Sequence, residues 1–251
     1  MRRAVGLALA ACLFPAAARA DDAADARAVL DRAIKAMGGK DKLARFQDVT
    51  WKGKGSVQID AVTVTFTDEI SAQGLERYNW QVAAEVNGRA IGLAIVFNGG
   101  KAWLKPDNAA AAQDFPKPYI PLFRADLRAV RLAQHLLPLT DKAYRLSHLG
   151  ELKVGDRMAV GVKVSHKDWP DVDLLFDKET GLPVRAELRL KDGTDGPESV
   201  HVLTFGAYKE TAGVKHFTKL ALRRDDKLTI ETEATEVSFP DKLDDSTFDK
   251  P

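Results

Sequence analysis

A single cysteine, Cys12, is all the thiol chemistry available to this 251-residue chain. An excess of charge of one sign is missing too: 37 Lys and Arg stand against 36 Asp and Glu. That balance offers no field to hold a phosphate backbone by counterion release, so nucleic acid is not expected as a partner. No apolar run reaches the roughly 20 residues that a membrane-spanning helix needs. Catalytic signatures are also lacking, for there is no G-x-S-x-G, H-E-x-x-H, Walker loop or paired-cysteine metal motif. A nucleophile-driven hydrolase is disfavoured, and any binding function must be argued from architecture.

What is present begins with residues 1–20, MRRAVGLALAACLFPAAARA. Arg2 and Arg3, the apolar stretch from Ala4 to Phe14, Pro15 and the closing Ala18-Arg19-Ala20 predict a secretory signal peptide cut after Ala20. The mature chain is then periplasmic or secreted, mildly acidic and free of cysteine, so its stability comes from its core alone. Leu9-Ala10-Ala11-Cys12 carries the alternative, a lipobox whose lipidated Cys12 anchors the protein to a membrane.

Residues 21–251 read as one domain. Ala26, Leu30, Ala33 and Met37 share a stripe, which predicts an amphipathic helix from Asp21 to Met37, stopped by Gly38-Gly39. From Val49 to Lys105 the period changes to two, as in Val57-Ile59, Val62-Val64-Phe66 and Ile91-Leu93-Ile95-Phe97. Turns at Gln73-Gly74, Asn87-Gly88 and Asn98-Gly99-Gly100 join these strands as an antiparallel meander. A Pro-rich segment and a second amphipathic helix follow, with Phe123, Leu127, Val130 and Leu137 on one stripe. Strand patterns return at Met158–Val164, Leu174–Phe176, Val184–Leu190, Val200–Phe205, Phe217–Arg223 and Leu228–Val237, with turns at Asp177–Gly181 and Lys191-Asp192-Gly193. Some ten strands in one series predict a mainly β, α+β fold: one strongly curved antiparallel sheet, whose concave apolar face needs a cover that the two amphipathic helices can supply.

One polar cluster stands out, His166-Lys167-Asp168-Trp169-Pro170-Asp171-Val172-Asp173. Paired carboxylates with an imidazole can bind a cation or act as acid and base. Trp169-Pro170 breaks the register between them, however, and a surface turn accounts for the same residues. His135, His148, His201 and His216 lack ligand spacing and read as satisfied or solvent-exposed histidines; no metal site is expected. Gly38-Gly39-Lys40 follows a helix rather than a strand, which makes it a helix stop and not a phosphate loop.

Three stretches resemble the periplasmic lipoprotein-carrier and outer-membrane lipoprotein-sorting family. Glu76-Arg77-Tyr78-Asn79-Trp80 with Val96-Phe97-Asn98-Gly99-Gly100-Lys101-Ala102-Trp103 is similar to that family's aromatic strand and later hairpin. Leu174-Leu175-Phe176-Asp177-Lys178-Glu179-Thr180-Gly181-Leu182-Pro183 resembles its strand-turn-strand unit, and Leu243-Asp244-Asp245-Ser246-Thr247-Phe248-Asp249-Lys250-Pro251 its C-terminus. The resemblance implies an unclosed half-barrel that binds acyl chains or a lipidated protein, with no catalysis and no cofactor. Two departures stand against the dedicated carrier: Gly74 occupies the place of the family's lid-latching arginine, and the mature chain is longer.

The expected function is therefore an exported, non-catalytic carrier or chaperone, acting as a monomer on a hydrophobic ligand such as an acyl chain or lipoprotein. Val57, Ile59, Phe66, Trp80, Leu93, Ile95, Phe97 and Trp103 are expected to line the cavity, with Phe123, Leu127, Val130 and Leu137 as its lid. The alternative is an envelope sensor or scaffold with a solid half-barrel, whose sheet binds a protein partner.

Overall fold

A computed structural model describes residues 16–191 and 196–251. Most of the signal-peptide reading, with Cys12, lies outside the described residues, as do Asp192 and Gly193 of one expected turn. Helix α1 spans Ala16–Ala36, α2 Lys40–Leu43 and α3 Ile120–Gln134. The strands are β1 Asp48–Ile59, β2 Val62–Gln73, β3 Arg77–Val86, β4 Arg89–Asn98, β5 Lys101–Pro106, β6 Gln113–Asp114, β7 Arg145–Val154 and β8 Arg157–His166. They continue as β9 Trp169–Asp177, β10 Pro183–Lys191, β11 Glu198–Gly206, β12 Lys209–Thr211, β13 Val214–His216, β14 Lys219–Arg224 and β15 Lys227–Ser238.

Thirteen strands form one antiparallel sheet in the order β6-β5-β4-β3-β2-β1-β15-β14-β11-β10-β9-β8-β7, and β12 and β13 form a separate hairpin. The sheet is not closed into a barrel. Local hairpins build each half, because their turns hold residues suited to left-handed backbone: Asn87 and Gly88 at φ 53° and 74° join β3 to β4. The halves meet when the last strand returns to the first, paired from Thr50 opposite Ser238 to Val57 opposite Ile230 with a shift of register between Lys52 and Gly53. Strand β7 went unread in the sequence, and β12 and β13 were too short to register as periodic.

Helices α1 and α3 cover one face of the sheet, here the inner face. Helix α1 buries Ala26, Leu30, Ala33, Ile34 and Met37. It ends as expected at two glycines with positive φ, where the Gly39 N–H reaches back to the Ile34 carbonyl (2.9 Å). Gly38 is required by close approach as well: a Cβ there would stand 2.4 Å from the Gly213 carbonyl oxygen of the small hairpin. Helix α3, with Pro121 in its first turn, lays Leu122, Ala125, Ala129 and Leu132 into the same core as α1. Phe123 and Leu127 of α3 pack instead on a second core made by Tyr78, Ile95, Phe97 and Phe115.

On the outer face, the C-terminal segment closes over β3 and β4. Phe248 is fully buried, Asn79 and Asn98 donate to the carbonyls of Thr247 (2.7 Å) and Phe248 (3.1 Å), and the Arg77 guanidinium lies over the Phe248 ring. This contact gives the terminal Leu243–Pro251 motif a structural role.

Candidate functional site: an apolar groove on the inner face

Strand register builds the site. Trp51, Ile70, Trp80 and Ile95 stand side by side across β1 to β4, and Gly53, Asp68, Val82 and Leu93 form the next row outward. Gly55, Phe66, Ala84 and Ile91 follow, then Val57 with Val64, then Ile59 with Val62 at the hairpin end. The helices cover the opposite end of these strands. What they leave uncovered is a groove of 260 Å³ lined by Val57, Ile59, Val64, Phe66, Trp80, Val82, Ala84, Ile91, Gly92, Leu93, Ile95 and Ile230. No charged side chain is among them.

Six of the eight expected cavity residues, Val57, Ile59, Phe66, Trp80, Leu93 and Ile95, come together there. Phe97 does not line the groove; it lies under α3, with ring centroids 5.4 Å from Phe115 and 6.5 Å from Phe123. Trp103 stands opposite Val96 in β4, on the face away from the groove. The four expected lid residues line no part of it either. Phe123 and Leu127 pack on the second core, Val130 and Leu137 on the first. Val64, Val82, Ala84, Ile91, Gly92 and Ile230 complete the lining, and the period-two alternation of all but Gly92 was the available signal.

The groove leaves apolar surface in solvent: Ile59, Val62 and Ile91 are 55%, 58% and 51% exposed. A wider depression of 640 Å³ lies over β1, β14 and β15, but Lys54, Lys219, Glu231 and Glu233 border it.

Polar ties hold α3 in place. Arg131, itself buried, donates to the carbonyls of Gly74 (2.9 Å) and Gln47 and to Gln134 Oε1 (3.0 Å). Gly74 is where the family resemblance places a latching arginine in the strand; here the tie comes from the helix side. Arg128 pairs with Glu76, and its guanidinium lies 3.9 Å from the centroid of the Trp169 ring. Tyr78, whose hydroxyl burial holds above its ordinary range, donates to the Leu127 carbonyl (2.6 Å).

The His166–Asp173 cluster resolves into a hairpin turn and packing. His166 stacks on Trp169 at 4.1 Å, so that ring is held between an imidazole and the Arg128 guanidinium. Asp171 and Asp173 both face Lys163. Among the described residues, no group of three or more His, Cys, Asp or Glu could hold a metal ion.

A second polar set was illegible from spacing. His201 Nδ1 lies 2.8 Å from Asp126 Oδ1, and its Nε2 lies 3.1 Å from Ser199 Oγ. The atoms are those of a nucleophile relay. Yet the imidazole has no exposed surface beneath α3, and Ser199 Oγ also meets the Leu190 carbonyl (3.3 Å). The arrangement pins α3 to β11.

Solved structures share this open, helix-covered sheet. A LolA superfamily protein from Nitrosomonas europaea superposes with a TM-score of 0.58 at 14% identity, over 90% of this chain and 97% of its own. A protein described as an outer membrane lipoprotein-sorting domain, from Vibrio parahaemolyticus, gives 0.56 at 13%, over 89% and 97%. A DUF1329 family protein from Desulfovibrio piger gives 0.57 at 12%, over 89% and 97%. No family model and no curated protein matches the sequence. The chain shares the LolA-superfamily fold, and the described residues contain no helix long and apolar enough to cross a membrane.

Proposed function

We propose that this chain is an exported carrier that holds an acyl chain, free or on a lipidated protein, in the uncovered groove of its sheet. The supporting observation is the groove itself: twelve lining residues with no charge among them, on the part of the inner face that the helices leave bare. Its 260 Å³ lies close to the lower bound, about 300 Å³, of small-molecule sites. Each methylene laid in such a groove gains about 0.8 kcal/mol. A chain of a dozen carbons or more therefore outweighs an association cost that starts at roughly 4 kcal/mol. The exposed rim residues Ile59, Val62 and Ile91 continue the apolar track outward, so a longer chain finds partial cover beyond the groove. The protein acts as a monomer without cofactor or catalysis, on the periplasmic side of the membrane after loss of residues 1–20.

Native mass spectrometry of the exported protein, purified without detergent, tests this reading. The expected result is a stoichiometric acyl-chain adduct on the wild type that is lost in Leu93→Trp, whose indole fills the groove. An adduct that persists in Leu93→Trp sinks the groove assignment. Failure of both proteins to take up a C12 chain favours the scaffold alternative.

A further inference from the structure

Asp68 occupies an inner-face position where the alternation of β2 calls for an apolar side chain, between Phe66 and Ile70. It is 4% exposed. Its Oδ2 accepts from the Trp80 indole N–H (3.1 Å), but its Oδ1 is buried without a hydrogen-bond partner. The neighbouring Trp51 is equally buried, and its indole N–H is likewise unpartnered. Both atoms crowd one spot: a Cβ on Gly53 would stand 2.5 Å from Trp51 Nε1 and 2.7 Å from Asp68 Oδ1. Only a residue without a side chain leaves that cradle open. An acceptor and a donor left buried and unmet destabilise the fold, so the arrangement calls for a group that answers both.

The cradle adjoins the groove. Asp68 pairs in register with Val82 and its Oδ2 accepts from the Trp80 indole, and both of these partners line the apolar groove. A hydroxyl offers one donor and two acceptor lone pairs. One hydroxyl oxygen therefore gives a proton to Asp68 Oδ1 and takes one from Trp51 Nε1. An ammonium leaves the indole N–H unmet, and a carboxylate sets like charge against Asp68. We propose that Asp68 and Trp51 form a head-group seat that selects apolar ligands bearing a hydroxyl, such as long-chain alcohols or acylglycerols. This inference rests on the carrier reading of the groove.

Isothermal titration at pH 7.5 with dodecan-1-ol, its methyl ether and sodium dodecanoate separates the two readings. The ether keeps the chain and the acceptor oxygen but has no proton to give. The wild type is expected to bind the alcohol about tenfold tighter than the ether and the carboxylate weakest. In Asp68→Leu the alcohol and ether converge while the chain still binds. Trp51→Phe, which removes the N–H and keeps an aromatic ring, is expected to weaken alcohol and ether together. Equal affinity of the wild type for alcohol and ether overturns the head-group seat and leaves the groove reading standing. No binding of any C12 probe overturns both.

Discussion

Burial sets the chemistry of single residues here, and Asp68 shows it most directly. Removal from water pushes its carboxyl up to about 6, against the lowering effect of the Trp80 hydrogen bond. The native state thus holds this proton more tightly than the unfolded chain, whose carboxyl titrates near 3.8. Below that value both states are protonated and Asp68 contributes nothing to the pH dependence. As pH rises towards 6 the native state loses stability, and above 6 the loss is constant. A tenfold difference in proton affinity is worth about 1.4 kcal/mol, so the full loss is on the order of 3 kcal/mol. Asp68→Asn, which imitates the neutral acid, is expected to be more stable than the wild type at pH 7.5 and no more stable near pH 4. Urea denaturation at the two pH values reads the difference; an equal gap at both refutes the burial argument. The sequence did carry a signal for this residue. An acid on the inward-facing position at the centre of Phe66-Thr67-Asp68-Glu69-Ile70 breaks the alternation, but next to Glu69 it passes for ordinary surface charge. His201 and Asp126 had no such signal, because 75 residues separate them and only the docking of α3 joins them.

Among the helices, α3 matters most, since it alone packs on both cores. Its amphipathic stripe was legible; its ties to the sheet were not, because arginine on a helix reads as solvent-facing. Arg131 is instead buried under the turn between β2 and β3, where it answers the carbonyls of Gly74 and Gln47. Arg131→Met keeps much of the packing and removes those donors. The expected cost is about 2 kcal/mol, from the loss of hydrogen bonds donated by a buried charged group, measured as a lower urea midpoint with an unchanged slope. A cost below about 0.5 kcal/mol shows that the turn finds other partners. Strand β7 was missed for a different physical reason. The register of its pairing with β8 shifts between His148 and Gly150, and Gly150 takes φ 77°. Leu146, Leu149 and Leu152 consequently recur every three residues instead of every two, and the strand loses the pattern that marked its neighbours.

At the scale of the whole molecule, the half-barrel was legible because hairpin turns and alternating faces are local, whereas the order of the sheet is not. The pairing of β15 with β1 joins residues nearly the full chain apart, and no periodicity announces it. The same long-range closure brings the C-terminal segment onto the outer face of β3 and β4, opposite the groove, where Leu243 N–H donates to Asp48 (2.8 Å) and Phe248 is fully enclosed. The C-terminal contact and the groove are thereby placed on opposite faces of the same strands, which makes stability and the proposed binding separable. Phe248→Ala empties a buried aromatic site and is expected to cost about 3 to 5 kcal/mol. For a chain of this size that lowers the melting temperature by roughly 2 to 4 °C per kcal/mol. Affinity for a C12 chain, measured well below the melting temperature, is expected to remain within a factor of two. Leu93→Trp should do the reverse, abolishing uptake while moving the melting temperature little. If Phe248→Ala abolishes uptake in protein that is still folded, the two faces are coupled and the groove is shaped from behind by the C-terminal segment.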